Sequence, residues 1–220
     1  MNIRRNLTKV LQISFYWPFL FLFRIFLNFK AVRTDNLENA GTSFILAVNH
    51  VSYLDPISVF IALPFRLKYI PLFYMASDFF YKLLFFYRFV GAIRARSGRD
   101  LELSSRPLIK KLDQDERVVI FPEGGLNRGV RITRRPRRGI SYVAAKSNKL
   151  IVPLKIESNL DGADSVLGGS VIDLLTGRHW IKMVFGKPFK IEETIGKIPE
   201  SISELRIASE GVFERIKMAK

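Results

Sequence analysis

The apolar positions of this chain fall into three kinds of run. The first, Val10 to Phe29, reads VLQISFYWPFLFLFRIFLNF. About 20 apolar residues can span a bilayer, but Pro18 and Arg24 interrupt this stretch. A central Arg costs roughly 2.5–3.5 kcal/mol on insertion scales. The run predicts a membrane-associated N-terminal helix within residues 1–31. It either crosses the bilayer or lies in the interface, with Arg24 reaching phosphates and Tyr16 and Trp17 at headgroup level. Arg4, Arg5 and Lys9 precede it, a flank that stays on the cytoplasmic side. No small-x-small cleavage pattern follows Phe29, which argues against a cleaved signal.

The second kind is short and bounded by turn residues. Phe44–Val48, Arg66–Leu72, Gly91–Ala95, Val118–Phe121, Leu150–Ile156 and Ile181–Phe185 read as strands. The third kind is longer. Pro56 suits the first position of a helix running to about Leu63. Ser77-Asp78 reads as a helix start. The stretch Phe79–Val90 that follows is apolar all round except Lys82 and Arg88, a buried helix or a second membrane-touching surface. Asp100–Leu112, a segment ending near Ser147 and the stretch after Pro199 complete the helices. Arg33 to Gly41 is a polar joint. Strands alternating with helices predict an α/β fold: a single domain, residues 32–220, with a mostly parallel central sheet flanked by helices.

Charge narrows the partners. The 220 residues hold 35 Lys plus Arg against 20 Asp plus Glu, a net charge of +15. Such an excess attracts polyanions. A hydrophobic fraction of 48% with 19 Phe favours an anionic membrane surface or a phosphorylated substrate over nucleic acid. No nucleic-acid recognition pattern is present. Cysteine is absent, which removes disulfides, a thiolate nucleophile and Cys metal sites.

Chemistry concentrates in two turns. Asn49-His50-Val51-Ser52-Tyr53-Leu54-Asp55 follows the first buried strand. On a regular helix, side chains five apart differ by about 500°, so His50 and Asp55 meet only if the backbone turns between them. If they meet, the carboxylate orients the imidazole and the ring acts as general base. If not, Asp55 is the N-cap of the next helix and His50 a loop residue. Asn49 and Ser52 read as turn-formers tying down the loop, and Ser52 as a nucleophile is the sharper alternative. The second turn is Phe121-Pro122-Glu123-Gly124-Gly125. Its glycines let backbone approach a ligand closely. Glu123 could accept hydrogen bonds from substrate hydroxyls or an Arg, or sit solvated in an ordinary turn. Beyond it, Arg128, Arg131, Arg134, Arg135, Arg137 and Arg138 occur with no acid between Glu123 and Glu157, which points to anion contact. Arg94, Arg96 and Arg99 form a second basic spot. His179 stands apart from any constellation.

Together these blocks resemble the glycerolipid acyltransferase family, which includes bacterial 1-acylglycerol-3-phosphate acyltransferase. Asn49, His50 and Asp55 match its N-H-x4-D; Gly91, Ile93 and Arg96 its G-x-I-x-x-R; Phe121 to Gly124 its F-P-E-G; Ile151, Val152 and Pro153 its I-V-P stretch. The blocks occur in the family's order between Val32 and Ile156. The resemblance implies transfer of a fatty acyl group from acyl-CoA or acyl carrier protein to the hydroxyl of a lysolipid such as lysophosphatidic acid, a step of phospholipid biosynthesis yielding phosphatidic acid. It implies His50 and Asp55 as the catalytic pair, with Asn49, Ser52, Arg96, Glu123, Gly124 and Arg128 around the acceptor. It also implies a site facing the cytoplasm at a phospholipid membrane, and no bound cofactor or metal. Two positions depart from the pattern. Ala95 stands where the family often has an acid, and Gly125-Leu126-Asn127 replaces its Thr-Arg-Ser. Another lysolipid acceptor with a bulkier or more anionic head, or a membrane-binding relative without activity, therefore stays open.

Overall fold

The computed structural model describes residues 3–77, 81, 88–95, 100–125, 135–159 and 179–220. In chain order the elements are α1 (Ile3–Phe26), β1 (Phe29–Val32), β2 (Phe44–Val48), α2 (Asp55–Ala62), β3 (Leu72–Ser77), β4 (Ala92–Ala95), α3 (Leu101–Asp113), β5 (Arg117–Ile120), α4 (Gly139–Ser147), β6 (Leu150–Ser158), β7 (Ile181–Phe185) and α5 (Ile202–Met218). Among the described residues the strands form one seven-stranded sheet in the order β1-β7-β6-β2-β5-β3-β4. From β6 to β4 all neighbours are parallel; β7 runs antiparallel to β6, and β1 parallel to β7. The expected α/β fold with a mostly parallel sheet is therefore present.

Burial explains why β2 is central. All five of its residues are buried. Phe44, Leu46 and Val48 enter one core, with Tyr16, Leu20 and Phe23 of α1 and Val59 and Ile61 of α2. Ile45 and Ala47 enter the other, with Leu108 and Leu112 of α3, Val143 of α4 and Val212 and Phe213 of α5. Alternate side chains thus serve opposite faces, and helices cover both.

The N-terminal helix is part of this packing. Thr8, Gln12, Tyr16, Leu20 and Phe23 form a buried stripe at near-helical spacing. The Gln12 amide nitrogen donates to the Leu72 carbonyl at 2.7 Å and the Val90 carbonyl at 2.9 Å, while its oxygen accepts the Leu72 N–H at 2.8 Å. Tyr16 Oη donates to the Leu63 carbonyl at 2.7 Å. Arg5 pairs with the fully buried Glu116 at the start of β5. Burial pushes the neighbouring Lys111 amine and Arg117 guanidinium below their ordinary pKa, opposed by the charge of Glu116. Gly91 sits at φ 108°, and a Cβ there would lie 2.4 Å from the Leu72 carbonyl oxygen, so the Gln12 clasp requires glycine.

Two expectations shift. Residues 29–31, placed at the end of the N-terminal helix, include the start of β1: the helix ends where the Leu27 N–H reaches the Phe23 carbonyl, and Asn28 turns the chain at φ 39°. The boundary at 31/32 therefore cuts a strand of the sheet. Arg66–Leu72 contains a 3₁₀ turn, Leu67–Tyr69, and the strand begins only at Leu72, after Pro71, which lacks the N–H a ladder needs. The helix expected over Phe79–Val90 lies largely outside the described residues.

Candidate active site

Parallel pairing sets the site. β2 and β5 are adjacent, with Ala47 opposite Ile120. Both expected turns therefore leave the sheet at its carboxyl edge, side by side, where open α/β sheets place ligands. Nothing local in either segment encodes that adjacency.

The His50 imidazole meets the Asp55 carboxylate: Nδ1 lies 2.7 Å from Oδ2. The same oxygen accepts the Val51 N–H at 2.7 Å and the Ser52 N–H at 2.9 Å. Residues 50–54 are thus wrapped around one carboxylate oxygen, the turn that the H-x4-D spacing requires. Asp55 is 2% exposed and begins α2 rather than capping it, since no side-chain cap bond is present there. The imidazole side chain is 17% exposed, so the ring lies at an accessible edge. With Nδ1 engaged by the carboxylate, Nε2 is the basic nitrogen left for a substrate proton.

Glu123 joins the two motifs. Its Oε2 accepts the His50 backbone N–H at 2.7 Å, across 73 residues of chain. The side chain is 2% exposed, so it is not a solvated turn residue. Gly124 follows at φ 65°, the left-handed conformation that favours glycine. The Phe121 ring stacks on the imidazole, with centroids 4.3 Å apart and planes at 25°. Phe121 opens the F-P-E-G block, and its contact with the imidazole is set by the adjacency of β2 and β5.

Asn49 and Ser52, expected around the acceptor, are both buried and bonded to backbone. Asn49 is fully buried, and its amide closes a two-bond ring with the Ile156 backbone, at 2.9 Å to the carbonyl and 2.6 Å from the N–H. It fastens the end of β2 to β6. Ser52 is equally buried, and its Oγ accepts the Leu54 N–H at 3.1 Å. Both tie the loop, as their turn chemistry implied. Arg96 and Arg128 lie outside the described residues, as do Arg99, Arg131 and Arg134; Arg135, Arg137 and Arg138 are described, and Arg137 lies beside the second turn. The Arg137 N–H donates to the Pro122 carbonyl at 2.7 Å. The buried Nδ1 of His179 makes no hydrogen bond among the described residues. Among the described residues no three His, Asp or Glu side chains converge to hold a metal ion.

The arrangement has the parts of acyl transfer: a carboxylate-oriented imidazole at an accessible edge, fixed to a neighbouring turn that Arg137 lies against. Comparison with known proteins agrees. Among solved structures, the 1-acyl-sn-glycerophosphate (LPA) acyltransferase PlsC from Thermotoga maritima matches with a TM-score of 0.61 at 17% identity, covering 97% of this chain and 83% of that one. At that identity the likeness concerns the fold. The sequence model of the family described as Acyltransferase matches residues 29–157, from β1 to the end of β6. With more than half of its length so matched, this chain belongs to the acyltransferase family.

Proposed function

We propose that this protein transfers a fatty acyl group from a thioester, acyl-CoA or acyl carrier protein, to the hydroxyl of a lysophosphatidate-type acceptor at a membrane surface. The observation that carries the reading is the His50–Asp55 contact at 2.7 Å, with Glu123 of the second motif holding the His50 N–H. In this mechanism Nε2 of His50 takes the acceptor's hydroxyl proton as its oxygen bonds to the thioester carbonyl carbon. The C–S bond then breaks, and the departing thiolate takes the proton from the imidazolium. Asp55 stabilises the transient positive charge. Acyl group, proton and electron pairs balance without an acyl-enzyme.

The outer face of α1 supports the membrane setting. It presents Trp17, Phe21 and Ile25 at 58%, 64% and 51% exposure. By length and composition α1 is also apolar enough to cross a bilayer. Its buried stripe and the Gln12 and Tyr16 bonds to the domain favour a helix lying in the interface instead. Arg4, Arg5 and Lys9 favour the cytoplasmic side.

The test is direct. Purified protein in phospholipid vesicles is given acyl-CoA and a panel of lysolipids. Free thiol and phosphatidate are the expected products, with lysophosphatidate the preferred acceptor. His50→Ala should lower the rate by about 10²–10⁴-fold, the usual loss of a general base, at unchanged vesicle binding. Failure to acylate any member of the panel from either thioester would sink the proposal.

A further inference from the structure

Arg137 is held against the candidate site by two independent features. Its backbone N–H donates to the Pro122 carbonyl at 2.7 Å, tying it to the turn of Glu123. Its side chain lies across Gly124: a Cβ at that glycine would fall 2.5 Å from Arg137 Nε, 2.7 Å from Cδ and 2.8 Å from Cζ. Gly124 is therefore bare for two reasons, its φ of 65° and the guanidinium resting on it. The preceding residue, Glu123, clamps the His50 backbone. Arg137 itself is solvent-exposed, and among the described residues no carboxylate pairs with it.

We propose that Arg137 selects the acceptor: its guanidinium, laid across Gly124, binds the phosphate monoester of the lysolipid whose hydroxyl meets His50. This rests on the acyl-transfer reading above. In lysophosphatidate the reacting hydroxyl and the phosphate sit on adjacent glycerol carbons. A cation that grips that phosphate must therefore lie close to the imidazole, and Arg137 is anchored one residue from the group that fixes His50. The phosphates of a CoA or carrier-protein donor are separated from the thioester by the whole pantetheine arm, so a cation serving them belongs farther away. A planar guanidinium offers two parallel N–H donors to a phosphate, which a Lys ammonium does not. The assignment also answers the departure at Gly125-Leu126-Asn127, where the family's usual Arg is missing: the cation reaches the turn from the far side of the loop.

The test is steady-state kinetics of the full chain in vesicles, varying lysophosphatidate and acyl-CoA separately. Arg137→Ala should lower kcat/KM for lysophosphatidate by roughly 10–100-fold, the range of a charge-assisted hydrogen bond. The loss should fall mainly on the acceptor KM, with acyl-CoA KM and melting temperature unchanged. Arg137→Lys should recover part of it. An unchanged acceptor KM in Arg137→Ala overturns the proposal. So does a raised acyl-CoA KM with the acceptor unaffected, which would make Arg137 a donor contact, and so does a lowered melting temperature with both KM values shifted, which would make it structural. If the wild-type protein acylates no lysolipid, the acyl-transfer reading itself fails, and this assignment with it.

Discussion

Asp55→Asn separates two jobs that one carboxylate oxygen performs. Oδ2 accepts from the His50 ring and from the Val51 and Ser52 N–H groups. An Asn oxygen in its place keeps all three partners. The flipped amide would aim an NH₂ at two backbone N–H donors, and each donor left unsatisfied costs about 1–3 kcal/mol when buried. The oxygen therefore stays inward, favoured by about 2–6 kcal/mol. The imidazole keeps its Nδ1 proton and its basic Nε2. Only the negative charge opposite the imidazolium is lost. Charged hydrogen bonds contribute about 1.5–3 kcal/mol and neutral ones about 0.5–1.5 kcal/mol, so the difference is about 1–2 kcal/mol. That converts to about a 5–30-fold lower kcat, well short of the general-base loss expected for His50→Ala. Asp55→Ala instead leaves the Val51 and Ser52 donors bare. It should cost about 2–6 kcal/mol of stability, or roughly 4–24 °C in Tm for a chain of this size. Thiol release from acyl-CoA gives the rates, and thermal unfolding followed by circular dichroism gives the stabilities. An Asn variant as slow as His50→Ala, or an Ala variant melting with the wild type, would refute the assignment of one oxygen to both jobs.

Three further outcomes follow from the same geometry. Asn49→Ala should destabilise by about 2–6 kcal/mol through the two orphaned Ile156 backbone groups, read as a lower denaturation midpoint; an unchanged midpoint would show that the amide does not fasten β2 to β6. Phe21→Glu with Ile25→Glu should weaken vesicle binding at least tenfold, since an apolar side chain buried in lipid contributes about 1.5–3 kcal/mol, while Tm stays put because both residues are exposed; retained binding in flotation assays would remove α1 as the anchor. At the start of α5 the Lys197 ammonium, then the Glu200 and Ser201 N–H groups, hold the Glu204 carboxyl at about 2, below its ordinary 4.5. A depressed carboxylate stabilises the fold fully above its unfolded value and loses that contribution as pH falls through its folded one. The Tm advantage of wild type over Glu204→Gln should thus be constant above pH 4.5 and shrink toward pH 2; a gap independent of pH across that window would contradict the pairing.

Much of this protein is local information. Five consecutive buried residues, Phe44–Val48, announce a strand covered on both faces, and β4, β6, β7 and α2 to α5 lie close to where periodicity and capping residues put them, because those signals act within a turn or a strand. Pro56 and the polar run before it mark the loop, and the blocks in order name the family. Other features answer to partners distant in the chain. The four residues Phe29–Val32 are as apolar as the helix before them, and only pairing with β7 makes them a strand. Gln12 reads as a lone polar residue in a greasy run until Leu72 and Val90 present backbone groups to it. Glu123 reads as an ordinary turn acid until β5 lies beside β2 and brings it to the His50 N–H. Composition and spacing decide which chemical groups are available, because they are properties of neighbours along the chain. Which of those groups face one another is decided by strand order and register, because hydrogen-bonded ladders join segments whose separation in sequence carries no signal of their contact.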